Sequence, residues 1–194
     1  MRSMPSPFEI RLPDPCLVVL VGAAGSGKST FAARHFAPDE VLSSDAFRAL
    51  IAGDPTDQRA TRPAFAALHE ELRRRLAAGR LTVVDATSVT PRARHALLRD
   101  AARAGVPAVA IVLDLPRHEV LARNRGRGGA RVVPEDAVLR QLRELERSLA
   151  VHGLRREGFA AVVRLATPGE VDAARCVRAT RDAGSGPGEA SSGR

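Results

Sequence analysis

Cysteine is scarce in this 194-residue chain: Cys16 and Cys176 stand far apart and in no metal-ligand spacing. Neither a disulfide framework nor a zinc site is suggested, and a reducing cytoplasm fits best. The expectation is two small hydrophobes, Cys16 at a strand edge and Cys176 in a late helix. No apolar run approaches the ~20 residues of a membrane helix, and the N-terminus, rich in Pro, Ser and charge, lacks a signal-peptide core. The expectation is a cytoplasmic protein with no membrane partner. Five histidines are scattered, and His69-Glu70 is not followed by a second histidine four residues on, which excludes an H-E-x-x-H metal site. Tryptophan and tyrosine are absent and phenylalanine numbers six, which excludes the aromatic stacking motifs of RNA-binding modules.

Lysine is the most telling scarcity. Among 30 lysines and arginines, Lys28 is the one lysine. The formal net charge of +8 and a pI near 11.2 point toward a polyanionic partner, although an Arg- and Ala-rich composition also reflects GC-rich coding. In a chain that otherwise uses arginine, position 28 requires a compact ammonium.

Residues Met1 to Pro15 hold four prolines and read as an arm, 16–180 as one domain, and 181–194, mostly Gly, Ser and Pro, as a tail or linker. Leu17-Val18-Val19-Leu20-Val21 is a continuous apolar run, the pattern of a strand buried on both faces of a parallel sheet. Similar runs at 40–43, 81–84, 108–113 and 161–165 alternate with helical periodicity at 27–35, 45–51, 62–78, 91–104, 117–124, 134–149 and 168–178. This alternation predicts an α/β fold with a five-stranded parallel sheet flanked by helices.

Directly after the first run comes Gly22-Ala23-Ala24-Gly25-Ser26-Gly27-Lys28-Ser29, followed by Thr30, a G-x-x-x-x-G-K-[ST] loop between a strand and a helix. Its glycines let successive N–H groups point at phosphate, reinforced by the helix dipole. Lys28 reaches the β- and γ-phosphates as a point charge where a planar guanidinium would be the wrong shape, and Ser29 offers its hydroxyl to Mg²⁺. The expected cofactors are ATP and Mg²⁺.

The remaining chemistry is expected at the other strand ends. Asp45 opens the helix after the second run, with Arg48 three residues on along the same face. Asp45 reads either as an N-cap, a role Ser43 or Ser44 can also fill, or as a base that takes the proton of an attacking hydroxyl beside Arg48. Asp85 ends the third run where a Mg²⁺-binding carboxylate belongs. After the fourth run, Arg123, Arg125, Arg127 and Arg131 alternate with Gly126, Gly128 and Gly129, as a cationic lid over a triphosphate requires.

The stretches LVVLVGAAGSGKSTFAARHF, VLSSDAFRALI, DPTDQ, LHEELRRRLAAGRLTVVDATSVTPRAR, LARNR and LRREGFAAVVRLATPGEV together resemble the polynucleotide 5′-hydroxyl kinase family, especially the kinase module of its bacterial RNA-repair members. The resemblance implies a P-loop kinase fold with strand order 2-3-1-4-5 and the 5′ end of a nucleic acid as acceptor. It implies Lys28 and Ser29 at the triphosphate and Mg²⁺, Asp45 as general base, and Arg48 on the acceptor side. It also implies Arg123 and Arg127 as lid arginines, with Gln58 and Thr87 near the acceptor. A small-metabolite or antibiotic kinase and a regulatory ATPase stand as the alternatives. The oligomeric state is left open, a homodimer included.

Overall fold

A computed structural model describes residues 8–53, 61–128, 132–151 and 153–179. Gln58 and Arg131 lie outside the described residues. Five strands form one parallel sheet: β2 (Leu17–Val21), β3 (Val41–Ser43), β4 (Thr82–Asp85), β5 (Ala108–Leu113) and β6 (Ala161–Leu165). Their order is β3-β4-β2-β5-β6, which is 2-3-1-4-5 counted from the P-loop strand.

Val18 and Leu20 point into one core with Phe31 and Val120, whereas Leu17, Val19 and Val21 point into a second core with Leu68, Leu72 and Leu97. Helices therefore cover both faces, and β2 reads as an unbroken apolar run because neither face meets water. These helices are α1 (Lys28–His35), α2 (Ser44–Ala52), α3 (Thr61–Ala77), α4 (Pro91–Arg103), α5 (Arg117–Arg125), α6 (Glu135–Val151) and α7 (Pro168–Ala173). The register Leu20↔Asp85 and Ser43↔Asp85 brings the ends of three strands level at one edge, where the P-loop also emerges.

The C-terminal region differs from the expected helix over 168–178. Thr167 and Glu170 form a capping box and Pro168 starts α7, but the helix stops at Ala173. Arg175–Arg178 becomes β7, which pairs in parallel with β1 (Glu9–Leu12) inside the segment read as an arm. Ile10 and Leu12 are buried while Arg11 faces solvent, a period-2 alternation within the stretch read as an arm. Cys176 consequently sits in a strand, not a helix. Neither four-residue segment is a persuasive strand by itself; each is stabilised by a partner more than 160 residues away in sequence.

Candidate active site

The P-loop is shaped by contacts that leave no room for side chains. Gly25 and Gly27 adopt φ of 90° and 95°, in the left-handed region. A Cβ on Gly25 would lie 2.4 Å from the Val120 carbonyl oxygen and 3.1 Å from the Asn124 Cβ, so the loop packs directly on α5. A Cβ on Gly22 would lie 2.9 Å from the Leu113 carbonyl oxygen.

Lys28 folds back inside this loop. Its Nζ donates to the carbonyls of Gly22 and Ala23, at 2.9 Å each, and the residue is 7% exposed. Burial pulls its pKa down to about 8; the Asp85 and Asp45 carboxylates oppose the shift and the Arg127 guanidinium adds to it. Four of the sequence-selected residues therefore share one electrostatic neighbourhood. Ser26 is fully buried, and its hydroxyl has no hydrogen-bond partner among the described residues. A buried ammonium bonded only to carbonyls, beside an orphaned hydroxyl, fits a site built to receive an anion.

At the end of β4, Asp85 is buried while Ser29 and Thr30 are exposed at the start of α1. Among the described residues no three His, Cys, Asp or Glu side chains cluster to hold a metal by themselves. Ser29 and Asp85 suit Mg²⁺, which takes one or two protein ligands and the rest from phosphate and water.

The two readings of Asp45 separate here. Ser43 Oγ accepts the Ala46 N–H at 3.4 Å and so caps α2. The Asp45 side chain is 62% exposed and ion-paired with Arg48, whose own side chain is only 16% exposed. Thr87 is half-buried, and its carbonyl accepts the Gly22 N–H at 3.1 Å, fastening the loop after β4 to the P-loop.

On the other side, Arg123 Nη1 lies 3.4 Å from the position a Cβ on Gly27 would occupy, over the start of α1. Its Nε is 3.7 Å from Glu119. Arg125 is exposed and pairs with Glu135 at 3.8 Å. A cleft of about 390 Å³ opens beside the P-loop, lined by Gly25, Gly27, Thr30, Arg123, Arg127 and Val171 among others. A wider cleft of about 540 Å³ between α6 and β6 contains no P-loop residue.

Three supporting features escaped the sequence reading. Buried Asn124 donates from Nδ2 to the Val133 carbonyl at 2.7 Å and accepts the Val133 N–H at 3.1 Å, closing the base of the arginine-rich segment. Arg94, fully buried, forms a two-point ion pair with Glu157 at 2.7 and 2.6 Å and donates to the Ser88 and Val89 carbonyls, fixing the loop that carries Thr87. Gln141 accepts the Ala24 N–H at 2.8 Å. Asn124 and Arg94 lie within the quoted LARNR and TPRAR stretches, but nothing local marks them as buried. Gln141 carries one signal, a polar residue in the apolar stripe of α6.

The profile of a family described as an AAA domain matches residues 17–152. The chain belongs to this AAA domain family. The match spans the P-loop, Asp45, Asp85 and the arginine-rich segment, and the fold is that of P-loop kinases. Among solved structures, a chain of the Pnkp1/Rnl/Hen1 RNA repair complex is similar at a TM-score of 0.58 and 24% identity, covering 70% of this chain and 45% of that one. This AAA domain thus spans less than half the length of that RNA-repair chain. Kti12 of Chaetomium thermophilum, in complex with ADP-AlF3, is similar at a TM-score of 0.60 and 16% identity, covering 80% of this chain and 93% of Kti12. A gluconokinase from Sinorhizobium meliloti 1021 is similar at a TM-score of 0.52 and 21% identity, with coverage of 84% and 90%. At these identities the likeness is one of fold. No curated protein matches the chain.

Proposed function

We propose that this AAA domain is an ATP-dependent kinase that transfers the γ-phosphate of ATP to the 5′-hydroxyl end of a polynucleotide. The observation that carries the reading is Asp45: Ser43 takes over the helix cap, so the carboxylate stands exposed at the strand-end edge, within electrostatic reach of Lys28. A carboxylate needed only for capping would not be displaced from that role by its neighbour.

In this mechanism the P-loop N–H groups and Lys28 hold the β- and γ-phosphates, and the cleft by Arg123 and Val171 takes the nucleoside. Ser29 and Asp85 would hold Mg²⁺, which would supply charge neutralisation at the triphosphate. The acceptor hydroxyl docks at Asp45, which takes its proton as the oxygen attacks the γ-phosphorus in line; the bond to the ADP oxygen breaks, and a 5′-phosphate results. Arg48 pairs with acceptor phosphate, and Arg123 and Arg127 stabilise the charge of the transferring group.

The net charge of +8 and the quoted kinase stretches support a nucleic-acid acceptor over a neutral sugar. An acceptor panel with γ-labelled ATP tests the reading. Label on the 5′ end of an oligonucleotide supports it, label on gluconate or another small metabolite replaces it, and phosphate release without any acceptor points to a regulatory ATPase.

A further inference from the structure

The inner face of α6 carries Val138, Gln141, Leu145 and Ser148 at spacings of three, four and three, one stripe of a helix. Val138 and Leu145 are 0% and 1% exposed. The two polar members each bond to a loop that builds the active site. Ser148 Oγ donates to the Val89 carbonyl at 3.0 Å, in the loop after β4. Gln141 Oε1 accepts the Ala24 N–H at 2.8 Å, in the P-loop. The approach to α6 is itself fixed two residues before its first turn, where Asn124 holds both backbone groups of Val133. The Gln141 amide is therefore presented to the loop from a braced helix.

That bond leaves half of the amide uncommitted. An N–H can be accepted only by the carbonyl oxygen of the side chain, so the orientation of the amide is settled by its partner. The Nε2 group, with two donors on the same rigid plane, has no hydrogen-bond partner among the described residues. A half-buried amide of this kind is stabilised when its donors find an acceptor.

The position along the P-loop says which acceptor. Lys28 Nζ is held at the carbonyls of Gly22 and Ala23, and a P-loop lysine addresses the β- and γ-phosphates. Ser29 and Thr30 lie at the other end of the motif, at the start of α1. Ala24 follows Ala23 directly, so Gln141 meets the loop at the end where the transferable phosphate lies.

We propose that Gln141 is a specificity-determining residue for the terminal phosphate: its amide oxygen holds Ala24 in place while its amide nitrogen donates to the γ-phosphate of a bound nucleoside triphosphate. This rests on the ATP reading of the same site. It assigns to α6, a helix beyond both the P-loop and the arginine-rich segment, the task of distinguishing triphosphate from diphosphate. The geometry also separates two roles. A residue that only latched α6 to the P-loop would need its acceptor alone, whereas a residue that senses the γ-phosphate needs its donors.

Gln141→Glu divides these roles, because the carboxylate still accepts the Ala24 N–H but has lost both donors and sets a negative charge beside the terminal phosphate. The experiment measures the Kd of the Mg²⁺ complexes of ADP and of the β,γ-imido analogue of ATP for the wild type, Gln141→Glu and Gln141→Leu. The wild type is expected to bind both. In Gln141→Glu the triphosphate should weaken about 10-fold or more, as for loss of a hydrogen bond to a charged group, while ADP stays within about 3-fold. Gln141→Leu, which keeps neither bond, should likewise lower the affinity for triphosphate relative to diphosphate. The ratio is read within each variant, so a partial loss of folded protein cancels. An unchanged ratio in Gln141→Glu, with both nucleotides bound as in the wild type or both weakened alike, overturns the proposal and leaves Gln141 as a latch. A wild type that binds neither nucleotide instead removes the ATP reading on which the proposal stands.

Discussion

Asn124 and Val133 hold each other by two hydrogen bonds, Nδ2 to the Val133 carbonyl at 2.7 Å and the Val133 N–H to Oδ1 at 3.1 Å. The pair joins the end of α5 to the start of α6, and a Cβ on Gly25 would lie 3.1 Å from the Asn124 Cβ, so the same side chain also supports the P-loop. Asn124→Leu strands two backbone groups and is expected to cost roughly 2 kcal/mol of stability. Asn124→Asp should be no better, because a carboxylate oxygen would then face the Val133 carbonyl. Thermal unfolding of the two variants checks this, and wild-type stability in Asn124→Asp would contradict it.

Lys28 donates from one compact ammonium to the Gly22 and Ala23 carbonyls at 2.9 Å each, a point-charge geometry that a planar guanidinium does not reproduce. Lys28→Arg should therefore be nearly as inactive in phosphoryl transfer as Lys28→Ala, although it keeps the charge. Substantial turnover by Lys28→Arg would show that charge alone suffices at this position.

The same burial should make nucleotide binding pH-dependent. The Lys28 pKa of about 8 lies below the ordinary value of 10.5, so the nucleotide-free protein sheds this proton while an unfolded chain still holds it. Its stability should rise with pH between those values, since the unfolded state binds more protons there. A bound triphosphate restores the charge, so binding should take up a proton in the same window and weaken as pH rises through it. Calorimetric titration with Mg²⁺·ATP at about pH 9, in two buffers of different ionisation enthalpy, reads the uptake directly. Identical heats in both buffers would refute it.

For Asp45 the decisive substitution is Asn. Ser43 holds the cap of α2, so Asp45→Asn should fold and bind ATP as the wild type does, yet lose about 10²-fold or more in turnover. The measurement is kcat beside the ATP Kd. Retained turnover would return Asp45 to a structural ion pair with Arg48.

The sheet and the P-loop were legible because they depend on local pattern: continuous apolar runs for strands buried on both faces, and a glycine-rich loop with the chain's one lysine. Strand order followed from the family resemblance and agrees with the observed sheet. The pairing of Glu9–Leu12 with Arg175–Arg178 was not legible, since each segment gains its stability from the other end of the chain. Nothing local marks Arg94 as buried, because its ion-pair partner Glu157 lies 63 residues away in sequence. Gln141 bonds a backbone N–H 117 residues away and Asn124 bonds the backbone of a residue nine positions on, pairings that periodicity alone does not reveal.

Length and salt dependence together test whether the acceptor is a polynucleotide. A surface that engages phosphates beyond the terminal nucleoside gains affinity from each contact and releases counterions as it does so. With γ-labelled ATP, the account predicts far faster labelling of a 5′-hydroxyl oligonucleotide than of the free nucleoside. Raising salt from ~50 to ~200 mM should increase KM for the oligonucleotide much more than KM for ATP. Equal rates on nucleoside and oligonucleotide, or labelling of a sugar with none of the oligonucleotide, would contradict it.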